Sequence, residues 1–276
     1  MIVFSGTPRS FKSSQTVTES WDACLRYCRG ADECVVAFKV SDNECHIFNF
    51  GEISLVEQSR IGDEIAVKMY ISSDVCPQSH PFLASSINFN RISNNQLYTT
   101  SISFDSGFYS LNYSITSCPD NTKLFLRETA TVCIALFLFE QPLCNTQLEG
   151  SALCKRNNGT LTGPANNNEY DNIQAQTKLF FNTSNPEKYQ YLVYWIDGTS
   201  LAGKNNYEFE DPTHNGTVNY KWAPDTPTFS GIGYCLYNPN PSGLYISDNT
   251  CNARSFVNAF CWRGAWCQVG NSFEIV

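Results

Sequence analysis

Tyr220-Lys221-Trp222-Ala223-Pro224-Asp225-Thr226-Pro227-Thr228 leads through Cys235 to Ser247-Asp248-Asn249-Thr250-Cys251 and on to Val257-Asn258-Ala259-Phe260-Cys261. An aromatic strand enters a proline-rich loop, and three cysteines pin the chain beyond it. Upstream, Gln190-Tyr191-Leu192-Val193-Tyr194-Trp195-Ile196 reads as a strand ending at Asp197-Gly198. Thr146-Gln147-Leu148-Glu149 has capping-box spacing and opens a helix through Ala152, Leu153 and Cys154. Lys155-Arg156 fall in its last turn, where the dipole favours cations, and Asn157-Asn158-Gly159 stop it. Asn166-Asn167-Asn168-Glu169 caps a second helix, with Tyr170, Ile173 and Thr177 on one face. Cys118-Pro119 and Cys133 bracket a hairpin, and Ile134-Ala135-Leu136-Phe137-Leu138-Phe139 reads as a buried strand, far too short to cross a bilayer.

Two helices, a strand ending Trp195-Ile196-Asp197-Gly198, a long loop and a three-stranded finish resemble a C-type lectin-like domain. The segment Cys154-Lys155-Arg156-Asn157-Asn158-Gly159-Thr160-Leu161-Thr162-Gly163 is similar to the helix-to-link segment of nematode members. The resemblance covers residues 118–262, and the domain is placed at 118–267. It implies the pairs Cys154–Cys261, Cys235–Cys251 and Cys118–Cys133. Cys76, Cys144 and Cys267 are then left over, so one thiol is free or bonds another chain.

Residues 1–74 read as a separate domain. Ile2-Val3-Phe4 is a candidate strand closed by Gly6-Thr7-Pro8. Thr16-Val17-Thr18-Glu19 has the spacing that starts a helix, which runs through Trp21 to Cys28 and stops at Gly30. Cys24 and Cys28 are four apart and share a face. Strands come next at Val35–Val40, Cys45–Phe48 and Ala66–Ile71. The segments Trp21–Cys28, Cys34–Phe38, Cys45–Gly51 and Ile65–Lys68 resemble the PAN/apple-like module of nematode secreted proteins, also called the CW domain. That resemblance implies a small sheet wrapped on one helix, with bridges Cys24–Cys45 and Cys28–Cys34; four cysteines alone permit three connectivities. Between the domains, residues 75–117 are rich in serine and asparagine and read as a linker, with short strands around Tyr98–Phe108.

The 276-residue chain holds 13 cysteines and only 3 histidines, without the spacing of zinc modules, which fits a disulfide framework in an oxidising compartment. Sequons at Asn112, Asn158, Asn182 and Asn215 agree. Met1 opens directly into a strand-like segment with no leader pattern, yet an extracellular, secreted protein is the expectation. The net charge of −8 leaves no basic stripe for a nucleic-acid backbone. His46, His80 and His214 stand outside any hydrolase or metalloprotease motif, no phosphate loop exists, and Glu208, Glu210 and Asp211 read as a solvated turn, so no enzyme is expected.

Sugar-binding members of the lectin family hold calcium with a Glu-Pro-Asn or Gln-Pro-Asp tripeptide and a later Asn-Asp pair. Here Thr226-Pro227-Thr228 and Ser247-Asp248 stand at those places. Calcium wants six to eight oxygens, several anionic, and Asp225 and Asp248 alone make a poor site. Pro227 then simply sets the loop backbone, through a cis bond if anything. Trp222 could stack on a sugar, but a tryptophan entering this loop more often belongs to the core. The expected fold is α+β: a small PAN/apple-like sheet on a helix, then a disulfide-linked C-type lectin-like domain. The expected ligand-binding residues are Trp222, Asp225, Thr226, Pro227, Thr228 and Asp248, with no catalytic group, no metal ligand and no cofactor. The partner is a glycan or pattern bound by a degenerate calcium locus, or alternatively an extracellular protein bound without calcium.

Overall fold

The structure is a computed structural model and describes residues 1–59, 62–69, 86–185, 189–201, 206–214, 216–218, 220–228, 231–238, 245–256 and 259–276. The chain divides into two compact units, Met1–Ser117 with Phe273–Val276, and Cys118–Ser272. Among the described residues no helix is long and apolar enough to cross a membrane.

The first unit contains β1 (Ile2–Phe11), β2 (Gln15–Val17), α1 (Trp21–Gly30), β3 (Cys34–Ser41), β4 (Glu44–Asn49), β5 (Ile53–Gln58) and β6 (Glu64–Val67). A meander of β7 (Ser86–Ser93), β8 (Gln96–Asp105) and β9 (Phe108–Ser117) continues the same sheet, in the order β2-β4-β3-β6-β1-β5-β9-β8-β7. β1 does not stop at Gly6-Thr7-Pro8. Its first half pairs with β6 as far as Ser5↔Glu64, and its second half pairs with β5 from Gly6↔Gln58. Gly6 sits where the strand changes partner: a Cβ there would lie 2.9 Å from Val56 Cγ1 and 3.1 Å from Ile65 Cγ2. Pro8 comes after the β6 pairing has ended, beside a bulge, where strand proline is tolerated.

The expected capping box before α1 is not used either. Residues 15–17 form β2, and Ser20 stands at the N-cap without a side-chain cap bond. α1 instead is fixed by its buried face, where Cys24 and Cys28 bond Cys45 and Cys34. A larger correction concerns the linker. The described part of residues 75–117 is a three-strand antiparallel sheet with unbroken registers from Ser86↔Ser103 to Ser93↔Gln96 and from Gln96↔Ser117 to Asp105↔Phe108. Alternate residues Phe89, Ile102, Tyr109, Leu111 and Tyr113 join Val36, Phe48, Ile53, Val56 and Ile65 in one apolar core. Cys76 lies outside the described residues.

The second unit contains β10 (Lys123–Leu126), β11 (Thr131–Leu138), α2 (Gln147–Arg156), β12 (Gly159–Leu161), α3 (Asn167–Thr183), β13 (Tyr191–Ser200), β14 (Tyr207–Glu208), β15 (Tyr234–Asn238), β16 (Ser247–Thr250), β17 (Ser255–Phe256) and β18 (Phe260–Val269). The chain ends in β19 (Ser272–Ile275), which pairs with β9. The second sheet runs β10-β11-β18-β13-β15-β16. Here β13 and β18 pair in parallel, from Tyr191↔Phe260 to Trp195↔Ala265. Both expected helix caps form: Thr146 accepts from Glu149 N, and Asn166 accepts from Glu169 N at 3.0 Å. The sheet is buried on both faces, with Trp266, Tyr170 and Ile173 in one core cluster and Trp195, Trp262 and Leu161 in another.

β18 corrects the cysteine framework. Cys154 bonds Cys267 and Cys144 bonds Cys261, whereas the family register implied Cys154–Cys261. Cys261 and Cys267 lie near opposite ends of one strand, six residues and about 20 Å apart. Their partners must sit within about 7 Å Cα to Cα, so a cysteine that meets one cannot meet the other. Cys118–Cys133 and Cys235–Cys251 form as implied.

Candidate functional site

The loop region of the second unit lies between β13 and β16. Trp222 bridges Ile246, Ala223 N donates to Ile246 O at 2.9 Å, and Ile246 N donates to Lys221 O at 2.7 Å, which fastens the loop to the strand before β16. Asp225 is exposed with φ 63°, and the Thr226–Pro227 peptide is cis with Pro227 buried. Thr226 Oγ1 donates to Ala223 O at 2.6 Å and closes the turn. Thr228 is exposed, but its backbone N–H donates to Asp248 Oδ1 at 2.9 Å. Asp248 is 4 % exposed, on β16. The aligned acid is therefore turned toward the loop backbone. Among the described residues, no group of three or more His, Cys, Asp or Glu side chains could hold a metal ion.

Trp222 is neither wholly core nor wholly free. It is half-buried, stacked on Tyr207 at 6.1 Å and tilted against Tyr220 at 5.8 Å. Burial, with the Asp248 carboxylate nearby, pushes the Tyr207 hydroxyl up to about 12. Tyr245, next to Ile246, is exposed, as are Val218 and Ile232. Of the six expected residues, Trp222, Thr226, Pro227, Thr228 and Asp248 are thus drawn together by backbone and ring contacts, and Asp225 points to solvent at the turn.

A second polar centre lies beneath the loop, and sequence reasoning missed it. Arg127 is buried and donates to both oxygens of Glu169, Nε to Oε1 at 3.0 Å and Nη2 to Oε2 at 2.9 Å. Its Nη1 donates to Asp211 Oδ2 at 2.6 Å and Thr213 Oγ1 at 2.8 Å. Its Nη2 also donates to Thr162 Oγ1 and Gly163 O, both at 3.1 Å. Burial opposes the Arg127 charge, but Glu169 and Asp211 outweigh it and raise its pKa. Burial also works against the Asp211 carboxylate, yet bonds from Thr162 and Thr213 and the Arg127 charge hold it below the ordinary value. Asp211 is therefore no member of a solvated turn: it is 1 % exposed, whereas Glu208 and Glu210 are exposed.

Asp197, at the end of the central strand, extends this centre. It accepts from Glu210 N at 3.0 Å and Asp211 N at 2.8 Å, which holds residues 210 and 211 against the strand. Burial pushes its carboxyl up to about 7, even though those two donors pull it back. His214 shares a hydrogen bond with the Tyr220 hydroxyl at 3.0 Å and stacks on Phe209. Burial, then the Arg127 charge, pushes it down to about 4. The Arg127, Glu169 and Asp211 charges are paired with one another, and with Asp197 they hold residues 210 and 211 against the central strand. Arg127 meets partners 42 and 84 residues away, a separation that no local pattern reports.

The chain is thus a mixed helix-and-strand protein with six disulfides, a buried polar centre and a loop fastened by backbone bonds. Residues 1–69 match the family model described as a PAN-like domain. No curated protein matches the chain. Similar solved structures include a calcium-independent type II antifreeze protein, at 16% identity over 57% of this chain and 97% of that one, TM-score 0.39. SPL-1 in complex with GlcNAc matches at 17% identity over 55% of this chain and 94% of that one, TM-score 0.38. TC14, a C-type lectin from the tunicate Polyandrocarpa misakiensis, matches at 14% identity over 50% and 98%, TM-score 0.36.

Proposed function

We propose that this chain is a secreted recognition protein whose second unit, used as a C-type lectin-like domain, binds glycans without calcium. The bond from Thr228 N to Asp248 Oδ1 carries the reading. It ties the loop with the protein's own groups at the place where a sugar-binding relative would present an acid to the ion. The ligand surface is then the half-buried Trp222 with the exposed Thr228 and Tyr245 around it. An indole offers a flat apolar face to the C–H face of a sugar ring, and neutral hydroxyls suit its oxygens. Six disulfides support an oxidising, extracellular setting. A protein partner is the second reading, favoured by Val218 and Ile232, which are 88 % and 78 % exposed on the same loop region.

A glycan array probed with the full chain in calcium and in chelator tests the proposal. Equal binding in both, lost in Trp222→Ala while the variant still unfolds cooperatively at a somewhat lower temperature, is the expected result. Binding that requires calcium overturns the calcium-independent mechanism, and an empty array turns the reading to a protein partner.

A further inference from the structure

The outer face of the β7–β8–β9 meander is made almost wholly of small neutral polar side chains. Residues paired across a sheet share a face, which gives the rows Ser86-Ser103-Ser110, Asn88-Ser101-Asn112 and Asn90-Thr99-Ser114. None of these nine is charged or apolar. Serine and asparagine are disfavoured in strands, and a solvent-facing sheet usually carries β-branched or charged residues. In the next row, Ile92-Leu97-Thr116, Leu97 is buried and Ile92 adds one exposed apolar side chain at the end of the face.

Asn112 stands in the middle row and opens the sequon Asn112-Tyr113-Ser114. The strand alternation divides the sequon between two faces. Asn112 is exposed and Ser114 lies on the same outer face, whereas Tyr113 is 4 % exposed in the core. The other described sequons, at Asn158 and Asn182, lie in a turn and at the end of α3.

We propose that Asn112 carries an N-linked glycan whose sugars lie across this face. The donor is an oligosaccharide linked to a lipid pyrophosphate. A bond forms between Asn112 Nδ2 and the anomeric carbon as the bond from that carbon to the pyrophosphate oxygen breaks. The lipid pyrophosphate leaves, and Nδ2 gives up one proton. The face beneath suits the product: hydroxyl and amide groups can exchange hydrogen bonds with sugar hydroxyls, and no charge is desolvated when the glycan settles. The glycan also shields β7, the edge strand of this sheet, from pairing with another chain.

The full chain, secreted from animal cells, is digested without deglycosylation and its Asn112 peptide is weighed. The peptide carries a glycan, Ser114→Ala removes it, and Ser114→Thr restores it. An unmodified Asn112 peptide in the folded, secreted chain overturns the site. Coverage is read separately by hydroxyl-radical footprinting of Ile92, which is 48 % exposed, in that chain before and after enzymatic removal of the glycan. Labelling that rises severalfold on removal supports the covered face, and equal labelling overturns it.

Discussion

Asp197 and His214 meet Tyr220 from two directions, through the Asp197 carbonyl and the His214 ring, and their titrations push stability opposite ways. The Asp197 carboxyl is raised to about 7, so the folded chain keeps a proton that the unfolded chain loses near pH 4. Its contribution is greatest in acid and falls as pH rises toward 7. His214 is lowered to about 4, so the unfolded chain takes up a proton that the folded chain refuses. Its contribution is full above the ordinary histidine value of 6.5 and is lost as pH falls toward 4. The two slopes overlap from about pH 4 to 6.5 and offset each other. In His214→Gln the Asp197 slope stands alone. Urea unfolding of that variant should show stability falling from about pH 4.5 to 7, by an amount of the order of 3 kcal/mol, against a flatter parent. Parallel profiles would mean that His214 is not depressed. At this scale the sequence was only partly legible. Trp222, Pro227 and Asp248 could be placed by their position in the loop, whereas Arg127, Asp211 and His214 acquire their roles only from partners distant in the chain.

Elements with a strong local signal were readable, and those whose signal conflicted with composition were not. The caps Thr146 and Asn166 announced α2 and α3 because a side chain and an amide three residues on settle the matter locally. The meander also carried a period of two, in Tyr98, Thr100 and Ile102 and again in Tyr109, Leu111 and Tyr113. Its serines and asparagines masked that period, since they read as loop residues until the neighbouring strands are known. The resemblance stopped at residue 262 and gave no strand beyond it, although β18 runs on to Val269. Gly264 shows how closely it packs: a Cβ there would lie 2.2 Å from Phe137 O on β11. Gly264→Ala must separate the two strands or break the bond from Phe139 N to Arg263 O, 3.0 Å long. A loss of roughly 3 kcal/mol in urea unfolding is expected, at the upper end of overpacking costs. Gly270→Ala, with nothing within 4 Å, should stay within about 0.5 kcal/mol of the parent. Equal stabilities for the two variants would refute the close approach of β11 and β18.

For the whole molecule, the six disulfides respect the division into units. Cys24–Cys45 and Cys28–Cys34 close within the first, and the other four close within Cys118–Ser272. The two longest, Cys144–Cys261 and Cys154–Cys267, span 117 and 113 residues, so in the chain-entropy account each restricts the unfolded second unit by about 4–5 kcal/mol if counted alone. Their loops overlap, so the joint effect is less than double. The second unit therefore holds its own core, its own buried polar centre and both partners of every bridge it uses. The first unit does not close within 1–117, because Val276 N donates to Tyr113 O and β19 pairs with β9. Residues 118–272 secreted alone should accordingly fold, show no reactive thiol after denaturation without reductant, and unfold cooperatively. Peptide mapping without reduction should recover Cys144–Cys261 and Cys154–Cys267. Residues 1–117 alone should unfold at lower urea than the same unit in the full chain, since β9 then lacks a neighbour along part of one edge. Recovery of Cys154–Cys261 from the secreted second unit would restore the family register and require β18 to end near Cys261, taking Trp262 and Trp266 out of the strand positions from which they fill two core clusters.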